Sequence, residues 1–162
     1  MYQWVVFIHI LSGLVFFMAH GASAAMAFRL KQEKDLERIK AVLDLSSAAL
    51  PVMYWALMLL VLAGIIAGVM AHWFSFGWIW AALVLLVVLW GVMQFYATRF
   101  YTPIRKAVGL PWRDGSKEHE AGEPTSSAEI AAAIQASNPM LLAGASFALI
   151  AVILWLMVFK PF

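Results

Sequence analysis

The sequence predicts an all-α polytopic membrane protein, a bundle of four transmembrane helices with N-out and C-out topology. Three observations carry that expectation. Of 162 residues, 64% are hydrophobic and 12% charged, with a mean hydropathy of +0.86; an ordinary soluble domain is about half apolar and a quarter charged. Four apolar stretches, about 4–28, 50–72, 76–97 and 140–159, each reach the roughly 20 residues that cross a bilayer. The charges are confined. Ten of the eleven Lys and Arg residues and all nine acids fall in segments 29–49 and 98–139, and Lys160 is the remaining cation.

The first stretch, Trp4 to Phe28, contains no Lys, Arg, Asp or Glu and runs into the basic Arg29-Leu30-Lys31. Ala22-Ser23-Ala24 resembles a signal-peptide cleavage site, but the stretch lacks a basic n-region and continues past that site. It is read as a retained span. The second stretch opens at Pro51, a residue favoured in a first helical turn, and closes near His72. The short link Trp73-Phe74-Ser75-Phe76-Gly77 makes the second and third spans an antiparallel hairpin. Asn138-Pro139 begins the fourth span, and Lys160-Pro161 ends it.

Between the spans, Leu36, Ile39 and Leu43 recur at helical spacing among Glu37, Arg38 and Lys40. This amphipathic helix either lies on the membrane surface or extends the first span. Residues 109–125, with Gly109, Pro111, Gly115, Gly122 and Pro124, read as a flexible loop. Ser126 and Glu129 form a capping box that starts a short helix running through Ala136.

Segments 29–49 and 98–139 carry five Lys or Arg each, whereas the N-terminus and the 73–77 link carry none. The positive-inside rule places both segments in the cytoplasm and both termini outside, as expected of a multi-pass protein of the cell's inner (plasma) membrane, with Trp4, Trp73, Trp78 and Trp80 in an outer aromatic belt. A reporter fused at the C-terminus is therefore expected to be active outside the cytoplasm, and one inserted within 113–123 active inside. The reverse pattern would overturn this orientation.

Composition also shortens the list of possible chemistries. With no cysteine there are no disulfides, thiolate metal sites or cysteine nucleophiles. The spans hold no Asp or Glu, so paired-carboxylate catalysis is absent, and no Gly-rich phosphate loop or nucleophile elbow is present. No catalytic residue is assigned. Acids accompany the bases in both charged segments, which speaks against a nucleic-acid surface. The polar groups inside the spans are His9, Ser12, His20, Ser23, Tyr54, His72, Gln94 and Ser146.

His9 and His20 stand eleven residues apart, close to three full turns at about 100° per residue and about 16 Å along the axis. They share a face with Gly13, Phe16 and Ala24. An ionisable side chain inside a span is a functional candidate by default, and a bundle histidine is a common axial ligand of haem iron. The plainer role is a hydrogen bond across a helix pair. His72 continues the row Gly64, Gly68, His72, in which the glycines let two helices approach closely. It could join His9 on one iron only if tilt closes a difference in depth, since His9 lies about 8 Å below Trp4 along its helix. Gln94 is expected to hydrogen-bond across the bundle near Tyr96, and His119 to be solvated among Lys117, Glu118 and Glu120.

Phe7-Ile8-His9-Ile10-Leu11-Ser12-Gly13, with Arg29 beyond the span, the charged helix leading to Pro51, and Gly64, resembles a broad group of small bacterial membrane proteins. The group includes the copper-resistance D-type membrane domain, an uncharacterised set of four-span proteins, and the haem-b-binding membrane protoporphyrinogen oxidase. The likeness covers most of the chain in architecture and about thirty residues in motif, and it is greatest to the uncharacterised set. The group tends to place a tryptophan seven residues after the histidine, where this chain has Phe16.

The resemblance implies His9 as the position that binds haem. With His20 on the same face, it leads to the expectation of a haem-b protein serving electron transfer, or a small subunit of a membrane redox complex. The alternatives are a cofactor-free structural or assembly subunit, and transport of copper or a small solute. The partners in prospect are the lipid bilayer and other membrane-complex subunits or a homo-oligomer.

Overall fold

The computed structural model describes residues 1–114 and 117–162. Gly115 and Ser116, within the expected 109–125 loop, lie outside the described residues. The chain is all-α apart from one small hairpin: α1 (Tyr2–Leu30), α2 (Leu36–Met70), a 3-10 turn (Trp73–Ser75), α3 (Gly77–Ala107), β1 (Trp112–Asp114), β2 (Lys117–His119), α4 (Ser127–Ala136) and α5 (Pro139–Phe159).

Helices α1, α2, α3 and α5 are the four spans. Only 17% to 28% of the most apolar window of each spanning helix is buried within the fold, so most of those apolar side chains point outward. Water does not tolerate so large an apolar surface on a folded chain; a bilayer does. The helices are organised as two pairs, α1 against α2 and α3 against α5, and α2 and α3 barely touch.

The helices run further than the apolar stretches. The amphipathic segment at Leu36 is the first part of α2, not an extension of the first span or a separate surface helix, and Pro51 lies inside α2 rather than at its start. Asp35 caps α2, its carboxylate accepting the Arg38 N–H at 2.9 Å. In the same way α3 continues through Pro103 to Ala107. An interior proline removes one helix hydrogen bond and costs about 3 kcal/mol in a soluble helix. Membrane helices tolerate it, and here tertiary packing holds both halves of α2: Ile39 and Leu43 are buried on one side of Pro51, Met53 and Ala56 on the other.

At the charged end the helix extensions build a cap with its own core. Ala27 and Leu30 of α1, Ile39 and Leu43 of α2, Phe100 and Ile104 of α3, and Ile130 and Ile134 of α4 pack together. The capping box at Ser126 and Glu129 is present. Lys31 donates to the Gln135 carbonyl at 2.9 Å and so ties the α1–α2 connection to the last turn of α4. In that connection the backbone N–H groups of Lys34 and Asp35, with Arg29, hold the Glu33 carboxyl below its ordinary range. A depressed carboxyl stabilises the fold above the ordinary carboxylate pKa, and that contribution fades as pH falls through the folded value.

Residues 109–125 are not a free loop. Trp112–Asp114 and Lys117–His119 pair antiparallel with Arg113 opposite Glu118. His119, expected to be solvated, stacks on Trp112 with ring centroids 3.9 Å apart. Gly109 makes the turn at φ +76°, where a Cβ would collide with the Gly122 carbonyl oxygen. The Ala107 carbonyl then accepts the Thr125 N–H at 2.8 Å, which closes the excursion back onto α3.

At the opposite end the N-terminal turn, the α2–α3 link and the last residues meet. Tyr2 packs edge-on against Trp73, the Lys160 ammonium lies 4.3 Å from the Trp73 ring centroid, and the Trp78 N–H donates to the Phe162 carbonyl at 3.1 Å.

Candidate functional site

Two chambers open inside the bundle. One, called outer after the orientation that the charge pattern predicts, has a volume of about 430 Å³ and is walled by His9, Gly13 and Phe17 of α1, Leu60 and Gly64 of α2, Leu86 of α3 and Ile153 of α5, with Lys160 at its rim. The inner one, of about 470 Å³, lies towards the charged end and carries His20, Ser23, Tyr54, Gln94, Tyr101 and Arg105 among apolar residues. Phe16 lines both chambers.

His9 enters the outer chamber because α1 and α2 pack closely at Gly64. A Cβ at residue 64 would stand 2.9 Å from His9 Cε1 and 3.0 Å from Nδ1. The missing side chain therefore makes room for the imidazole. His9 Nδ1 lies 2.8 Å from the Leu60 carbonyl oxygen. A carbonyl only accepts, so Nδ1 carries a proton; in that tautomer of the imidazole the lone pair is on Nε2.

His20 is arranged differently. Its Nε2 is 2.9 Å from Ser146 Oγ, and that hydroxyl is 2.9 Å from the Leu142 carbonyl and 3.0 Å from the Ala143 carbonyl. The single hydroxyl proton goes to the α5 carbonyls, so His20 Nε2–H is the donor to serine. The ring lies parallel to Phe16 at 5.9 Å and edge-on to Phe147 at 5.1 Å. Its Nε2 is thus committed to the α1–α5 contact.

The two histidines lie on one face of α1 as the spacing predicts, yet they meet different neighbours, α2 for His9 and α5 for His20. His72 joins neither. It is an exposed residue with φ 56° on the α2–α3 link, and it lines neither chamber. The row it was assigned to meets side chains instead of a second backbone: Gly64 faces His9 and Gly68 faces the Phe74 ring.

Among the remaining polar candidates, Gln94 Nε2 donates to the Tyr54 hydroxyl across the α2–α3 gap, a cross-bundle bond as expected. Ser23 forms a hydroxyl triangle with Ser46 at 3.2 Å and Tyr101 at 3.4 Å. Ser46 and Tyr101 lie beyond the apolar stretches, so composition does not mark them as polar groups of the spans. Lys160, which the sequence marks as a helix terminator, lies beside Trp73 and Trp78 at the rim of the outer chamber.

Among the described residues, no group of three or more His, Asp or Glu side chains could hold a bare metal ion, and no fully buried side-chain nitrogen or oxygen lacks a partner. Haem iron asks less of a protein, since the macrocycle supplies four of its ligands. No protein-family model, curated protein or solved structure matches this chain.

Proposed function

We propose that the protein is a haem-b protein of the bacterial inner membrane, carrying single electrons alone or as a small subunit of a membrane redox complex, in which His9 would hold the iron. The observation that carries this reading is the Nδ1–H hydrogen bond of His9 to the Leu60 carbonyl. Ligating histidines characteristically hold their second ring nitrogen in this way, which fixes the tautomer and makes the ligating nitrogen more basic. It leaves Nε2 as the unengaged nitrogen of a ring that borders an apolar chamber.

Bound there, haem would supply a one-electron iron couple. The chain's own residues would do the rest. His9 donates a nitrogen lone pair, Gly13 and Gly64 keep the walls close, and Phe17, Leu60 and Leu86 exclude water. Lys160, at the outer rim, offers a cation to the propionate carboxylates. The charged cap faces the cytoplasm in this reading, so the chamber belongs to the extracytoplasmic half.

Protein expressed with haem supplied should show a Soret band and a reduced-minus-oxidised difference spectrum. Replacing His9 with Ala should abolish that band, because the iron loses its anchor. Replacing His20 with Ala should leave at least roughly half of it, since His20 lines the inner chamber and not the one that His9 borders. If the wild-type protein takes up no haem, the chain is better read as a cofactor-free assembly subunit. Loss of the band in His20→Ala but not His9→Ala would show that the wrong histidine has been chosen.

A further inference from the structure

The inner chamber changes character along the bundle axis. Towards the membrane centre its walls are Phe16, Met53, Leu57, Trp90 and Met93; towards the charged end they are Thr98, Tyr101, Thr102, Arg105 and Arg113. The backbones of α2 and α3 seldom approach each other, and side chains join them at Gln94 to Tyr54 and at Arg105 to Leu43, Ser47 and Asp44; between these the chamber lies open. Its rim residues Leu50, Tyr54 and Trp90 are 37%, 42% and 52% exposed. An apolar slot of this kind faces the same surroundings as the exposed apolar sides of the spans, and its polar floor lies at the charged end of the bundle.

Arg105 is fixed in place at that floor. Its Nε donates to the Pro111 carbonyl at 2.6 Å, and its Nη1 donates to Ser47 Oγ at 2.9 Å and to the Leu43 carbonyl at 3.4 Å. Nη2 donates to Asp44 at 3.4 Å. Four of the five guanidinium N–H groups are thus used and one remains. Asp44 does not line the chamber. Glu118, the acid that does, is engaged with Arg113 at the exposed rim at 3.3 Å.

We propose that this cleft is a lateral binding site for an anionic phosphoglyceride of the cytoplasmic leaflet. Its phosphate meets Arg105 and Arg113, and one acyl chain lies between α2 and α3 against Met53, Leu57, Trp90 and Met93. Guanidinium groups match phosphate oxygens in geometry as well as charge, and basic pockets between spans on the cytoplasmic side are a recurrent way of holding anionic lipid. A zwitterionic headgroup would bring its own cation against Arg105 and Arg113. A soluble anion would leave the apolar half of the cleft unfilled. The proposal is independent of the haem reading, because the two chambers share only Phe16.

The test is native mass spectrometry of the full chain in detergent after exposure to phosphatidylglycerol or to phosphatidylcholine with the same acyl chains. Phosphatidylglycerol should be retained roughly tenfold more than phosphatidylcholine. Arg113→Gln removes one cation whose side chain, among the described residues, bonds Glu118, and Ala97→Trp fills the cleft without removing a polar group. Each should lower retention while thermal unfolding stays that of the wild type. An excess of inorganic phosphate should not displace the lipid. Equal retention of the two lipids, undiminished retention in Ala97→Trp, or displacement by inorganic phosphate would each overturn the proposal.

Discussion

Replacing Gly64 with leucine should lower stability in detergent by roughly 1–3 kcal/mol, well above the effect of a matched change at Val69. The reason is local. A Cβ at residue 64 would already press on His9 at 2.9 Å, and the ring cannot retreat without breaking the 2.8 Å hydrogen bond from Nδ1 to Leu60. Gly68→Leu should be milder. Its Cβ meets the edge of Phe74 at 2.9 Å, and that side chain sits on the α2–α3 link, where it can turn aside. Val69 is 61% exposed towards lipid, so Val69→Leu should stay within about 0.5 kcal/mol. Thermal unfolding of the three variants gives the order directly. Equal midpoints for Gly64→Leu and Val69→Leu would mean that α1 and α2 are not closed on His9.

Ser146→Ala should cost about 1–2 kcal/mol, because it leaves the His20 Nε2–H without an acceptor at a buried contact. The companion change is His20→Phe. That ring fits between Phe16 and Phe147 in place of imidazole and asks for no hydrogen bond. Removing both polar partners is nearly neutral where removing one is costly, so the double variant should recover most of the loss. The double-mutant cycle should therefore show clear coupling between the two residues. Strictly additive effects would show that His20 finds another partner and that the α1–α5 contact does not depend on this bond.

Both predictions concern residues that the sequence singles out, yet neither partner could be read from it. Gly64 is legible as a small-residue position, and its spacing from Gly68 promises a close helix approach. Only the packing shows that the approach is made to an imidazole. His20 and Ser146 are 126 positions apart in sequence, and no periodicity links them.

Helix ends were the least legible part of the fold. Hydropathy marks where a segment leaves the hydrocarbon, not where its helix stops. Pro51 reads as a first-turn residue at the start of an apolar stretch, yet α2 passes through it with buried residues on either side, and α3 passes through Pro103 in the same way. The segment after α3 reads as loop from its glycines and prolines. Two three-residue strands, stacked through Trp112 and His119, are too short to show an alternating pattern.

By itself the sequence determined the membrane class, the four spans and the charged segments that join them, because each follows from local composition. An apolar run of sufficient length must span, and a charged segment must stay in water or at the headgroups. It also determined that His9 and His20 share a face, since helical periodicity settles that without knowledge of neighbours. The tertiary structure decided what each histidine does. Alignment on α1 does not specify whether α2 or α5 lies opposite, and that choice gives His9 a backbone carbonyl that leaves Nε2 unengaged, and His20 a serine that occupies Nε2. The cleft between α2 and α3 is likewise tertiary: it exists because those two helices, neighbours in the chain, pack against other partners.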